Sequence, residues 1–222
     1  MGLKYIINGT TPFSSMIRKI IEADGGGNVL CFTTLRKFIK SSQIDGLPIV
    51  ATEDLPRVFD ISEVSVVNTV GYSKMNTVRE KAQSELDFFG LRTVSYISPK
   101  ANVYSKDIEN GCIIMPGAFV GPDVKIGKGN IIYSNVSLTH HITIGDYNFI
   151  ASGCVLGGNI RIENNCFIGL NSTLRNRLNI PSFTLIGCSS NVVKPIETEN
   201  SIWLGNPAKM VEGRKSIDVV IK

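Results

Sequence analysis

From Ile108 onward an aliphatic residue returns at every sixth position: Ile108, Ile114, Val120, Ile126, Ile132, Leu138, Ile144, Ile150, Leu156, Ile162, Ile168, Leu174, Ile180, Ile186 and Val192. A helix repeats its buried face at three and four residues and a half-buried strand at two, so neither explains a period of six. The pattern requires a chain that turns a corner every six residues and points one aliphatic side chain inward each time. Four residues after each of these lies a second track of mostly small or β-branched residues, among them Cys112, Ala118, Val124, Asn130, Val136, Ile142, Asn148, Cys154, Cys166, Ser172 and Ser190. Such residues suit a corner packed closely on the coil below, and the cysteines on this track read as small buried fillers. Glycine often follows the aliphatic position, at 121, 127, 145, 157, 169 and 187. It is expected there to permit a turn with positive φ. No insertion breaks the register between Ile108 and Val192, so a site has to lie in a groove beside the coil.

Residues 1–95 carry no hexads. Lys4–Asn8, Asn28–Phe32 and Val64–Asn68 read as strands, and Ser14–Ala23 and Met75–Phe89 as helices. Strand–helix alternation predicts a small α/β, Rossmann-like sheet with covering helices. Asp45–Leu55, with Gly46, reads as a loop, and Tyr96–Val103 as the hinge into the coil. The expected division is an α/β domain over 1–95, a repeat domain over 96–196 and a cap or tail over 197–222.

The 222 residues hold 23 Lys and Arg against 19 Asp and Glu, a formal net charge of +4. That suits phosphate-bearing small ligands and falls far short of a nucleic-acid binder. No apolar run approaches the ~20 residues of a membrane span. The opening Met1–Asn8 turns polar too soon for a secretory leader, so a cytoplasmic protein is expected. The five cysteines form no CxxC pair and are odd in number, which argues against a disulfide framework and a zinc site. The only two histidines are adjacent, whereas a zinc hydratase needs three separated ones, so no metal is expected.

That pair, His140-His141, lies between the inward positions Leu138 and Ile142, at a corner, where at least one ring should project outward. Histidine is the natural base near neutral pH. Such a base serves any group transfer in which a nucleophile must lose a proton.

These features resemble the hexapeptide repeat of acyltransferases that fold as a left-handed parallel β-helix. The first half resembles the nucleotide-sugar-binding domain of the sialic-acid O-acetyltransferase and bacillosamine-type sugar N-acetyltransferase family. The resemblance rests on the repeat, on Gly71–Arg79 with Tyr96-Ile-Ser-Pro99, on Gly157-Gly158, Cys166–Asn171, Ile186-Gly187-Cys188 and on the tail Trp203–Lys209. It implies a homotrimer with acetyl-CoA in the groove between neighbouring helices. It also implies N-acetylation of a nucleotide-linked amino sugar for surface glycan (lipopolysaccharide) biosynthesis; the alternatives are a sugar O-acetyltransferase and a non-enzymatic scaffold with a degenerate site.

Carried over by position, His140 is the base and His141 stands where its acidic partner belongs. Phe149, Gly158, Leu170, Cys188, Lys194 and Lys209 fall on acetyl-CoA-contacting positions. Gly9, Thr10 and Thr11 stand in the phosphate-binding turn after the first strand, Thr33 follows the second strand, and Asn76 and Arg79 are candidate substrate contacts. The chain departs from the pattern at Pro12 and Phe13, which replace Gly and His, at Thr33 and Thr34, which replace acidic residues, and at His141. Without a carboxylate beside His140 the base is weaker, which favours an amine nucleophile over a hydroxyl; a carboxylate from elsewhere, such as an adjacent subunit, is the other solution.

Overall fold

The computed structural model describes residues 3–221. The first part is a five-stranded sheet built from β1 (Lys4–Asn8), β2 (Asn28–Thr34), β3 (Gln43–Ile44), β4 (Leu47–Ala51) and β5 (Ser65–Asn68), in the order β3-β4-β2-β1-β5. All pairs are parallel except the β3–β4 hairpin. The segment read as a loop therefore supplies a strand. Its signal is the Asp45-Gly46 pair, both at positive φ (49° and 80°), which is the two-residue hairpin turn. Pro48 inside the following run masks it. Helices α1 (Pro12–Ala23), α2 (Leu55–Val58) and α3 (Thr77–Phe88) complete the domain. Helix α1 starts where Thr11 caps it and Pro12 presets the first turn, and it buries Ile17 and Ile21.

From Tyr96 the chain winds into a left-handed parallel β-helix of triangular section, each side a ladder of two-residue strands 18 residues apart. The first face stacks Ile113, Ile131, Phe149, Phe167 and Leu185. The second stacks Phe119, Ser137, Val155, Thr173 and Asn191. The third stacks Lys125, Thr143, Arg161 and Asn179. Every aliphatic position from Ile114 to Val192 is buried, and the second track closes the core at the corners. Tyr96–Val103 is not a hinge: Tyr96 pairs with Ile113 and Asn102 with Phe119, so the segment is already the first turn of the coil. At the far end Ile202 pairs with Leu185, and the coil gains one more rung from the tail. On the inner track, burial pushes the thiols of Cys112 and Cys154 up to about 11 and that of Cys166 to about 12, so they stay neutral fillers.

The corners obey a rule of their own. Gly111, Gly117, Asp123, Gly129, Asn135, His141, Tyr147, Gly153, Asn159, Asn165, Asn171, Arg177, Phe183 and Ser189 all sit at φ between 54° and 76°. One left-handed residue thus turns each corner, and Gly and Asn are frequent because they reach that region at least cost. The glycines expected to make the turns do something else. Gly121, Gly157 and Gly169 do not have positive φ; they let successive coils touch. A Cβ on Gly121 would stand 1.6 Å from the Thr139 carbonyl oxygen, and one on Gly169 would stand 2.6 Å from the Cys188 nitrogen.

The α/β domain covers the first face. Phe149 and Phe167 stack at 5.4 Å, and Tyr72 meets both rings edge-on at 5.0 and 5.2 Å. Phe13 of α1 stacks on Tyr133 at 5.7 Å, which gives that departure from the family pattern its physical role. The Asp24 carboxylate accepts hydrogen bonds from Tyr96 Oη (2.7 Å) and Ser98 Oγ (2.6 Å) and pairs with Lys100 Nζ (2.8 Å).

Gly169→Ala is expected to cost roughly 1–3 kcal/mol, because backbone rather than a flexible side chain must move aside. Gly111→Asn, where the nearest atom to a new Cβ is 3.6 Å away and φ is +76°, is expected to change stability by less than about 1 kcal/mol. Thermal melts of the two variants check the contrast; equal losses would contradict it.

Candidate active site

The candidate functional residues gather at two separate places on the chain. The first is a cleft of about 570 Å³ at the carboxyl ends of β1, β2, β4 and β5. The chain leaves β1 to one side for β2 and β4 and to the other side for β5, so the cleft opens where an open parallel sheet reverses its strand order and ligands bind. Gly9, Thr10 and Thr11 line it after β1, Thr34 and Leu35 after β2, Thr52 after β4, and Val70, Gly71, Ser73 and Lys74 after β5. Lys37, Lys74 and Lys81 rim it, with Glu85 among them, and Phe38 and Val78 give it exposed apolar wall. Gly9 is required: its φ is +129°, and a Cβ there would stand 2.6 Å from Ser14 Oγ and 2.7 Å from Thr69 Oγ1. Helix α1 directs its N-terminus, a preferred seat for anions, at this turn.

Three residues assigned to the substrate lie elsewhere. Thr33 is fully buried, where its hydroxyl donates to the Val50 carbonyl (2.8 Å) and meets Thr52 Oγ1 (3.1 Å); alternation along β2 turns Thr34, not Thr33, to the cleft. Asn76 is buried in the seam between the domains, its Nδ2 donating to the Cys166 carbonyl at 2.9 Å.

Arg79 is also fully buried, not on a surface. Its Nε donates to Gly129 O (2.9 Å), one terminal nitrogen to Gly71 O (3.1 Å), and the other to Tyr147 O and Asn148 O (3.1 Å each). Burial alone pulls its guanidinium down to about 9. Arg79 therefore ties the cleft loop to three carbonyls at a corner of the coil. Lys74, Met75 and Asn76 lead into α3 at φ of 49°, 49° and 66°, an irregular turn, so the helix begins at Thr77 and not at Met75.

The second place is the corner between the second and third faces. His140 is exposed there. His141, the left-handed residue of that corner, donates its backbone N–H to Pro122 O at 3.2 Å. The two rings meet edge to face, Nδ1 to Nδ1, at 3.1 Å. His141 Nε2 stands 3.5 Å from Asp123 Oδ2, the left-handed residue one coil below. Asp123 thus stands within reach of His141, while His140 itself has no carboxylate contact among the described residues. Above, His140 lies on Gly158: a Cβ there would stand 2.2 Å from Cε1 and 2.6 Å from Nε2 of the ring. By the 18-residue count Lys194 occupies this same corner three coils from His140, about 14 Å at one strand spacing per coil.

The other residues assigned to acetyl-CoA divide. Leu170 and Cys188 are both exposed and stack at the corner between the first and second faces, where Ser189 N–H donates to Leu170 O at 2.7 Å. Exposed Leu204 continues that strip, and Lys209 pairs with it in the final hairpin. Phe149 belongs to neither corner; it is buried under the α/β domain as part of the aromatic stack. Among the described residues no three His, Cys, Asp or Glu side chains converge on a metal-sized point, and no helix is long and apolar enough to cross a membrane.

Residues 107–140 and 141–176 match the family described as bacterial transferase hexapeptide (six repeats). Solved structures of similar fold include the acetyltransferase domain of PglB from Neisseria gonorrhoeae in complex with acetyl coenzyme A, 22% identical with a TM-score of 0.83, covering 95% of this chain and 100% of that one. The fold of this chain is that of the hexapeptide-repeat acetyltransferases. PerB from Caulobacter crescentus, in complex with CoA and GDP-perosamine, is 19% identical with a TM-score of 0.81, covering 94% and 97% of the two chains. WeeI from Acinetobacter baumannii is 20% identical with the same TM-score, covering 94% and 100%. A sequence comparison with curated proteins found no match.

Arg79→Met is expected to cost roughly 3 kcal/mol or more, since several carbonyls lose a charged donor in a dry seam. Limited proteolysis near Tyr96 and a denaturant melt test this. A variant as stable and as resistant as the parent would remove the arginine from its structural role.

Proposed function

We propose that this protein transfers the acetyl group of acetyl-CoA to the amino group of a nucleotide-linked amino sugar, in the cytoplasm, for assembly of a surface glycan such as lipopolysaccharide. The observation that carries this reading is the coexistence in one chain of a lysine-rimmed cleft at the switch point of a parallel sheet and an outward imidazole on an unbroken β-helix. The cleft suits a nucleotide diphosphate: backbone and a helix N-terminus at Gly9–Thr11, and ammonium groups at Lys37, Lys74 and Lys81. The exposed strip of Leu170, Cys188 and Leu204 suits the pantetheine arm, and Lys194 and Lys209 suit its phosphates.

In this reading His140 Nε2 takes a proton from the attacking amine as the new C–N bond forms at the thioester carbonyl. Collapse breaks the C–S bond and the coenzyme leaves as the thiolate, which takes up the proton. The amide of Gly158, beside the ring, is assigned the thioester oxygen. The choice of an amine over a hydroxyl as nucleophile rests on the fold relatives, of which PerB is described with an amino sugar nucleotide.

Within one chain the cleft belongs to the domain that covers the first face, whereas His140 occupies the opposite vertex of the triangle. A homotrimer in which the cleft of one protomer faces the His140 corner of the next brings them together.

The test is a coupled thiol-release assay with acetyl-CoA across amino and non-amino nucleotide sugars. Turnover of the amino set alone is expected; turnover of only the non-amino set would make the protein an O-acetyltransferase. His140→Asn is expected to lower kcat by roughly a hundredfold or more with the assembly mass unchanged in light scattering. Gly158→Ala, which displaces the ring, is expected to lower kcat by roughly ten- to a hundredfold with little change in melting temperature.

A further inference from the structure

The corner that bears His140 also holds an imidazole and a carboxylate to which the proposed acetyl transfer gives no role. His141 lies between them, with Nδ1 3.1 Å from His140 Nδ1 and Nε2 3.5 Å from Asp123 Oδ2. A neutral imidazole has one N–H and one lone pair. A carboxylate beside Nε2 repels a lone pair there and attracts a proton. Asp123 therefore places the His141 proton on Nε2 and leaves Nδ1 as an acceptor. The contact at Nδ1 then requires His140 to donate from its own Nδ1, which leaves the lone pair of His140 on Nε2, the atom that lies over Gly158. The opposite arrangement would turn the His141 lone pair toward the carboxylate.

We propose that Asp123, acting through His141, fixes the tautomer of His140 that presents a basic Nε2 and stabilises the imidazolium formed when that nitrogen is protonated. Asp123 and His141 are positioning residues, and His140 is the catalytic one. This rests on the acetyltransferase reading for its effect on rate, though not for the tautomers. At 3.5 Å the two groups are at ion-pair distance, longer than a formed hydrogen bond; catalytic hydrogen bonds are often long in unliganded enzymes and tighten with substrate. The backbone preserves the alignment: His141 N–H is bonded to Pro122 O, and Asp123 and His141 share the left-handed corner conformation at φ of 58° and 54° in successive coils.

That shared conformation supplies the test. Asp is accepted at this corner position, as Asp123 shows, and an Asp carboxylate oxygen, like Nδ1 of histidine, is one bond from Cγ. Asp at position 141 would put a carboxylate directly against His140 Nδ1 and make Asp123 unnecessary. In the intact protein, Asp123→Asn is expected to lower kcat at least about tenfold with KM changed less than about twofold. The double variant Asp123→Asn, His141→Asp is expected to recover at least fivefold of that loss. A purely structural role for Asp123 gives no recovery, and an unchanged kcat in Asp123→Asn would overturn the relay.

A readout independent of turnover is available because the chain has only two histidines. In two-bond ¹H–¹⁵N spectra at about pH 9, above the ordinary imidazole range, His140 is expected as the Nδ1–H tautomer and His141 as Nε2–H. Assignment follows from the signals lost in His141→Asn. The reverse pattern, or His140 as Nε2–H, would overturn the proposal even in an active enzyme. The expected tautomers in a protein that acetylates no amino sugar would sink the acetyltransferase reading and leave the relay standing.

Discussion

Stacking at an interval of 18 residues is the constraint on which the rest of this molecule depends. Every coil places an inward aliphatic residue, a small corner residue and a left-handed residue directly over their counterparts below. The backbones then come so close that glycine is the only residue that fits at several contact points. Burial of each aliphatic side chain contributes roughly 1.5–3 kcal/mol, and the strand ladders use up the backbone polar groups. Because each coil touches only its neighbours, stability accumulates along the axis and no long loop is needed to close the core.

Chemistry is confined by this geometry to the corners and to whatever docks on a face. The first face is apolar and aromatic, and the α/β domain seals it through Tyr72, Phe13, Asp24 and the buried guanidinium of Arg79. The same contacts hold the cleft loop rigidly against the coil, since Arg79 bonds both Gly71 and the corner carbonyls. The opposite vertex is left free, and there the two histidines stand. In the proposed function it is a second copy that joins the cleft on one side to the histidine on the other.

The period of six was enough to read the coil, its inward tracks and the exposure of the histidine corner, because each depends on spacing alone. What escaped was whatever depends on which residue stacks on which. Asp123 looks like an isolated surface carboxylate until position 141 is placed over it. Gly158 reads as an acetyl-CoA contact, with no local sign of the imidazole one coil below that packs on it. Arg79 and Asn76 read as candidate ligand contacts because nothing local reveals that another domain covers them, and Phe149 misled for the same reason. The β4 strand was hidden by Pro48, although Asp45-Gly46 announced its hairpin. Thr33 and Thr34 differ only in which side of β2 they face, and a one-residue error in phase exchanges the structural residue for the one in the cleft.

The stacking also turns sequence distance into a physical coordinate. Asp123, His141 and Asn159 are neighbours because of how many residues separate them, as are His140 and Gly158. Deleting one residue anywhere between Asp123 and His141 would leave both side chains in the chain but rotate them onto different parts of the triangle. Lengthening the segment by a whole coil would restore the orientation of each while parting them by one storey. Natural drift in such a protein is therefore free to exchange letters but is held to a fixed count, and the histidine corner is inherited as an interval as much as a set of side chains.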